Sequence, residues 1–337
     1  MTQFSILLAT RDRPALFGQA LASVLSQTLG DVEVVVVDDG SAAEHAHAYE
    51  RVLAPARARL GTRLQHHRLL RRPSGHGQSY SLNVAAGHAN GRYLAILDDD
   101  DVWTDDGHLA RAARSIARVP DADLYMGHQR AFRGEEPVAD ELWLWQLAGR
   151  LRSGGAGEDG DEDGTQRATL DRLVALDGFC HLNCLIVRRG LWQAVGGMDE
   201  AIRWECDRDV YLRLIDAATG PMLHNPAVVS RHNIPDPTRA VNMTTALGPV
   251  AKRLQQLRVV DKAVLFARHA EVRAAGRRHR NWTLQKLTDE LAAAGNHEAA
   301  AYFARMAVVD SLSPAFAAKA ALYTAKAVTA RRRARRA

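Results

Sequence analysis

The chain has little cysteine: three residues in 337, at positions 180, 184 and 206. So sparse and odd a set cannot build a disulfide framework and fits a reducing compartment. Cys180-His181-x-x-Cys184 lacks a second pair of ligands at metal spacing, so it reads as buried thiols rather than a zinc site. Long hydrophobic runs are also missing, and nothing approaches the ~18 apolar residues that a membrane span needs. The first residues, Met1-Thr-Gln-Phe-Ser-Ile-Leu-Leu-Ala-Thr10, have no basic stretch ahead of their apolar run and read as a strand, not a signal peptide. The expectation is a cytoplasmic protein. What is present is an ordinary globular composition, 47% hydrophobic and 25% charged, long enough for one large domain and a smaller one.

Charge is unevenly spread. The formal net charge is +5, yet residues 1–235 hold 25 Lys/Arg against 32 Asp/Glu, and residues 236–337 hold 19 against 7. An acidic front half cannot hold a phosphate-rich ligand by bulk charge, so a metal ion or local dipoles must do it. The basic rear half suits an anionic surface.

The front half alternates short apolar runs with stretches of helical spacing. Strands are expected at Phe4–Ala9, Val32–Val37, Leu64–Leu70, Tyr93–Leu97, Leu182–Val187 and Pro221–Ser230. Helices are expected at Ala15–Gln27, Ala42–Leu60, Tyr80–Ala89, Asp105–Arg118, Thr169–Leu176, Gly190–Val195 and Cys206–Leu214. This order implies an α/β fold, a Rossmann-like, mostly parallel sheet with helices on both faces. The Gly-rich acidic stretch Ser153–Gly164 reads as a surface loop or a flap. After Pro235 the pattern becomes Ala/Leu/Arg-rich and helical to the end, so the expected division is an α/β domain at 1–235 and a basic all-α module at 236–337.

Three polar clusters stand at the ends of sequential strands: Thr10–Arg13, Asp38–Ser41 and Asp98–Asp101. Ligands of open α/β sheets bind at that edge. Four adjacent aspartates after the buried run Tyr-Leu-Ala-Ile-Leu repel one another unless a cation neutralises them, and carboxylate-only ligation points to Mg²⁺ or Mn²⁺. If the run is extended, Asp98 and Asp100 face one way and Asp99 and Asp101 the other. Asp38 and Asp39 are acceptors suited to an imide N–H or a ribose hydroxyl, or to capping a helix. Arg11 and Arg13 are candidate partners for a diphosphate.

The segments Phe4-Ser-Ile-Leu-Leu-Ala-Thr-Arg-Asp-Arg13, Val35-Val-Val-Asp-Asp-Gly-Ser41, Gly91-Arg-Tyr-Leu-Ala-Ile-Leu-Asp-Asp-Asp-Asp-Val-Trp103 and Val195-Gly-Gly-Met-Asp-Glu200 resemble, in this order, the family 2 glycosyltransferases with their GT-A fold. The resemblance covers roughly residues 3–233. It implies an inverting transfer from a nucleoside-diphosphate sugar, often UDP-linked, with Mg²⁺ or Mn²⁺. On this sequence it places the base-reading carboxylates at Asp39 and Asp38 and the Asp-x-Asp at Asp98 and Asp100, with Asp99 or Asp101 able to share the ligand role. It sets Thr10, Arg11 and Asn83 beside the donor and His232 near the metal and diphosphate. The general base falls on Asp207, at a helix start whose dipole also favours an ionised carboxylate, with Glu205 and Asp209 as neighbouring alternatives.

The acceptor implied is a hydroxyl of a glycan or of a lipid-linked molecule. The basic C-terminus, ending Arg331-Arg-Arg-Ala-Arg-Arg336, suits peripheral contact with an anionic membrane, and no nucleic acid is expected. Two alternatives remain: a sugar-phosphate nucleotidyltransferase, which needs a glycine-rich triphosphate loop that Thr10-Arg-Asp-Arg-Pro14 lacks, and a non-catalytic module binding an anionic polymer.

Overall fold

A computed structural model describes residues 3–138, 144, 146, 147, 149, 160–176, 178–234 and 247–334. The chain forms two compact units, Met1–Arg239 and Ala240–Ala337.

The first unit contains β1 (Phe4–Thr10), α1 (Pro14–Leu25), β2 (Val32–Asp38), α2 (Ala46–Leu60), β3 (Leu64–Arg68), α3 (Gln78–His88), β4 (Tyr93–Ile96), β5 (Val102–Trp103) and α4 (His108–Arg118). After these come β6 (Leu124–Arg133), β7 (Glu136–Pro137), β8 (Gln166–Ala168), α5 (Leu170–Val174), β9 (Leu185–Arg188), α6 (Arg189–Ala194), α7 (Cys206–Ala217) and β10 (Met222–Asn233).

β2 shows how the local sequence sets an element. Its valines are stiff at χ1 and favour extended backbone, and every residue of the strand is buried. Glu33 lies within that run. Its carboxylate accepts hydrogen bonds from Ser5 Oγ, from the amides of Asn90 and Gly91, and from Asn90 Nδ2 at 3.2 Å, which offset its desolvation.

The sheet order is β3-β2-β1-β4-β9-β6-β10-β5, with β7 on β6 and β8 on β10. The parallel ladders β1–β2, β1–β4, β2–β3 and β6–β10 carry most of the register. Alternate residues of β1, β2 and β4 (Phe4, Ile6, Leu8; Val32, Val34, Val36; Tyr93, Ala95) pack against Phe17 and Leu21 of α1, Leu53 of α2 and Leu109 and Ile116 of α4. α3 lies against β1 and β2 through Leu82, Ala85 and Ala86, outside that cluster. Both faces of the sheet are therefore covered.

The sequence reading omits β6. Its centre is Gly127-His128-Gln129-Arg130, which breaks the apolar pattern, yet His128 and Gln129 are buried. β9 runs antiparallel to both β4 and β6. β6 and β10 therefore run in the direction of β4, and their carboxyl ends reach the same edge.

Among the described residues the second unit has four helices, α8 (Pro249–Phe266), α9 (Ala270–Ala293), α10 (His297–Ser311) and α11 (Pro314–Ala334), around Leu257, Val260, Leu284, Leu287, Leu291 and Phe316. Among the described residues no helix is long and apolar enough to cross a membrane. Residues 153–159 of the acidic stretch, the expected boundary at 235–236 and the terminal residues 335–337 lie outside the described residues. The described end of the acidic stretch is held on α4: Asp161 accepts from Ser115 Oγ at 2.7 Å, and Arg114 and Arg118 pair with Asp163 and Glu162.

Candidate active site

β1, β2 and β4 end side by side, with Thr10 registered on Asp38. The aspartates follow β4 as a turn, closed by the Asp101 amide donating to the Asp98 carbonyl at 3.2 Å. The run is not extended, so the expected two-by-two division of its side chains is corrected. Oxygens of Asp98, Asp100 and Asp101 come within 4.8 Å of one another, while Asp99 turns toward Arg13.

Burial, with the neighbouring charges of Asp101 and Asp100, pushes the Asp98 carboxyl well above its ordinary pKa. Burial also pushes Asp99 up to about 7, although Arg13 pulls the other way. Arg13 donates to Asp99 and, at 2.8 Å, to Asp100. A cluster that protein groups leave this short of positive charge fits a hard divalent cation, because its donors are all carboxylate oxygens.

β10 delivers His232 and Asn233 to this edge. His232 Nδ1 lies 2.7 Å from Asp101 Oδ2, and the Asn233 amide donates to Asp101 Oδ1 at 2.7 Å. Burial opposes charge on the His232 ring, but the Asp101 hydrogen bond and the nearby carboxylates hold its pKa up at about 9. His232 thus contacts the cluster through Asp101 and is not one of the three groups that converge.

The segment entering β9 supplies two groups that the sequence did not assign to the site. Asn183 Oδ1 accepts the Asp98 amide at 2.9 Å, and its Nδ2 donates to Asp101 at 2.6 Å. His181 Nε2 lies 3.6 Å from Asp207 Oδ2 and 4.0 Å from Asp98 Oδ2. Their place before an apolar strand gave no signal, because parallel strands offer their carboxyl ends to ligands; the antiparallel run of β9 brings its start to that edge.

Asp207 stands in the first turn of α7 beside Glu205, which holds a left-handed backbone (φ +56°). Of the alternative bases, Glu205 pairs with Arg208 at 3.0 Å and Asp209 with Arg213 at 2.7 Å. Arg213 in turn donates to the carbonyls of Val195 and Gly197. Gln78 links the two halves of the site, donating to Asp98 Oδ1 at 2.5 Å and standing 4.0 Å from Cys206 Sγ.

The remaining expected groups are engaged within the protein. Asp38 Oδ1 accepts the Ser41 amide at 2.7 Å, a turn closure. Asp39 accepts the amides of His76 and Gly77. Gly75 is needed at φ +65°, where a Cβ would come 2.5 Å from Asp39 Oδ2. Thr10 Oγ1 bonds Tyr49 at 2.8 Å, and Arg11 donates to the carbonyls of Arg72 and Pro73. Asn83 clamps the turn before α7 through Met198 and Glu200.

Residues 5–170 match the model of glycosyl transferase family 2. The chain is 28% identical over 229 residues to a PGL/p-HBAD biosynthesis glycosyltransferase of Mycobacterium bovis, an alignment covering 68% of this chain and 73% of the relative. It is 31% identical over 187 residues to the succinoglycan biosynthesis protein ExoW of Rhizobium meliloti, covering 54% and 53%. Among solved structures it is similar to S. aureus TarS 1–349 in complex with UDP-GlcNAc (TM-score 0.61, 17% identity, 84% of this chain and 72% of that one). It is also similar to the mannosyltransferase PcManGT of Pyrobaculum calidifontis in complex with GDP-Man and Mn²⁺ (TM-score 0.58, 18% identity, 97% and 86%).

A mixed, mostly parallel sheet with its carboxylates gathered at one edge defines the GT-A architecture, and the chain is a glycosyltransferase. Over residues 5–170 the chain is similar to glycosyl transferase family 2.

Proposed function

We propose that this glycosyltransferase moves a sugar, with inversion, from a nucleoside-diphosphate donor of the UDP type to a hydroxyl of a glycan or lipid-linked acceptor. The observation that carries the reading is the convergence of Asp98, Asp100 and Asp101 beside His181 and Asp207. The UDP-GlcNAc complex of TarS and the GDP-Man and Mn²⁺ complex of PcManGT support the donor class and the cation.

Asp98, Asp100 and Asp101 would hold Mg²⁺ or Mn²⁺. The ion would supply counter-charge for the departing diphosphate. Asp39 and Thr10 line the nucleotide end of the same edge. Asp207 takes the proton of the acceptor hydroxyl as that oxygen attacks the anomeric carbon. The sequence provides no triphosphate loop, which disfavours the nucleotidyltransferase alternative. The basic helical unit carries the enzyme to anionic lipid.

The test is calorimetry of UDP binding with and without Mn²⁺, followed by a donor-hydrolysis screen across nucleotide sugars. Binding of UDP that requires Mn²⁺ supports the reading. Absence of binding by both overturns it.

A further inference from the structure

We infer that one end of the helical unit is a docking surface for an anionic lipid membrane. The inference rests on the membrane contact proposed above but moves it from the Arg-rich terminus to a different surface.

Side-chain pairings fix which helix ends meet. Gly276 of α9 packs closely on Ala263 and Val264 of α8, and Arg280 pairs with Asp261. The same Arg280 pairs with Asp310 of α10. Arg273 Nη1 donates to the carbonyls of Ala267 at 2.6 Å and Arg268 at 2.8 Å, closing the α8–α9 turn. The end of α8, the first turns of α9 and the end of α10 therefore lie together.

Four large apolar side chains stand in solvent at that end: Leu265 (69% exposed), Phe266 (77%), Val309 (76%) and Leu312 (83%). Leu312 sits at φ +51°, a conformation that glycine usually supplies at a helix end. The end of α8, the α8–α9 turn and the first turns of α9 also carry Lys262, Arg268, Arg273, Arg277 and Arg278. The acids Asp261 and Asp310 are both engaged by Arg280, and Glu271 stands in the first turn of α9.

An apolar tip on segments rich in cations complements a bilayer interface, where the tip enters the acyl boundary and the cations meet acidic headgroups. A second copy of the chain would set the same cations against one another, which opposes self-association through this face. Arg331 lies elsewhere: it pairs with Glu298, in the first turn of α10, at the opposite end of that helix.

The experiment sediments the full chain with vesicles of phosphatidylcholine alone or mixed with phosphatidylglycerol. Wild type should pellet only with the mixed vesicles. The double substitution Leu265→Ser/Phe266→Ser should weaken pelleting about tenfold or more. Deletion of 331–337 should change it far less. Circular dichroism checks that the variant is folded. Three results overturn the inference: wild-type pelleting by the double variant, equal pelleting with neutral vesicles, or a wild-type oligomer that the double variant makes monomeric. Sugar transfer to a water-soluble acceptor, measured without vesicles, reads the active site separately. Lost lipid binding with intact transfer thus leaves the enzymatic reading standing, and the converse also holds.

Discussion

His181 presents Nε2 to Asp207 Oδ2 at 3.6 Å while its Nδ1 accepts the Asn183 amide at 3.3 Å. The backbone bond occupies the Nδ1 lone pair, so the proton of the neutral ring sits on Nε2, facing the carboxylate. Burial acts in the same direction, holding the ring's pKa below its ordinary value against the charge of Asp207. The candidate base therefore has a fixed neighbour. Asp207→Asn removes the proton acceptor and leaves the aspartate cluster intact. Transfer should fall about 10²- to 10⁴-fold, while UDP affinity measured by calorimetry stays within about twofold of wild type. Full transfer by this variant would refute the assignment.

His181 itself should act through orientation. In His181→Ala the Asp207 carboxylate loses its neighbour, and kcat should drop about tenfold, the scale of one well-placed hydrogen-bonding group. The KM for donor should hardly change. His181→Gln, whose amide N–H reaches about as far as Nε2, should recover part of kcat. A purely structural role predicts instead that both variants lose folded protein and that the remainder turns over normally. Steady-state kinetics normalised to folded enzyme separates the two.

The sequence made some of this site legible and hid the rest, for identifiable reasons. The β1, β2 and β4 edges are readable because fully buried parallel strands leave unbroken apolar runs that end in polar clusters. The shape of the aspartate run is not readable from alternation. The Asp98–Asp101 turn depends on Asn183, 82 residues beyond Asp101, whose side chain bonds Asp98 N and Asp101 Oδ2. β6 hides because its buried His128 and Gln129 look like surface residues until partners such as His224 and Asn183 are known. The family resemblance sets Asn83 beside the donor, and only the fold brings it to Met198 and Glu200, where Gly197 leaves no space for a Cβ.

Arg13 holds Asp99 and Asp100 together from the Thr10 side of the cluster. Asp99 is 2% exposed, so removing its cation strands a buried carboxylate. Arg13 is partly solvated, which lowers the cost below that of a fully buried pair. Arg13→Met should destabilise the metal-free protein by about 2 kcal/mol. Saturating Mn²⁺ should narrow the gap between variant and wild type, because carboxylates freed of Arg13 bind the cation more tightly and so gain more stability by mass action. Urea unfolding with and without Mn²⁺ measures both quantities. A deficit that Mn²⁺ leaves unchanged would show that Arg13 and the ion act on separate carboxylates.

Acid should destabilise the first unit through its buried histidines. His108 is enclosed between Trp103, ring centroids 5.2 Å apart, and Tyr125 at 6.2 Å, and neither ring nitrogen has a hydrogen-bond partner among the described residues. Burial holds its pKa down at about 3, and the charge of Arg111 adds to that. In the unfolded chain the ring titrates near 6.5. Between those values the unfolded state binds a proton that the folded state refuses, so stability is complete above about pH 6.5 and declines as pH falls, by up to about 1.4 kcal/mol per unit for this group. His128 and His224, with Nε2 atoms 2.9 Å apart, are also held low by burial and contribute with the same sign. His108→Phe keeps an aromatic ring in the slot and removes one of the three titrations. Relative to its own value at about pH 7.5, the variant should lose about 2 kcal/mol less than wild type by about pH 5. Parallel stability curves from urea unfolding across that range would mean that His108 is protonated in the folded protein, contrary to its surroundings.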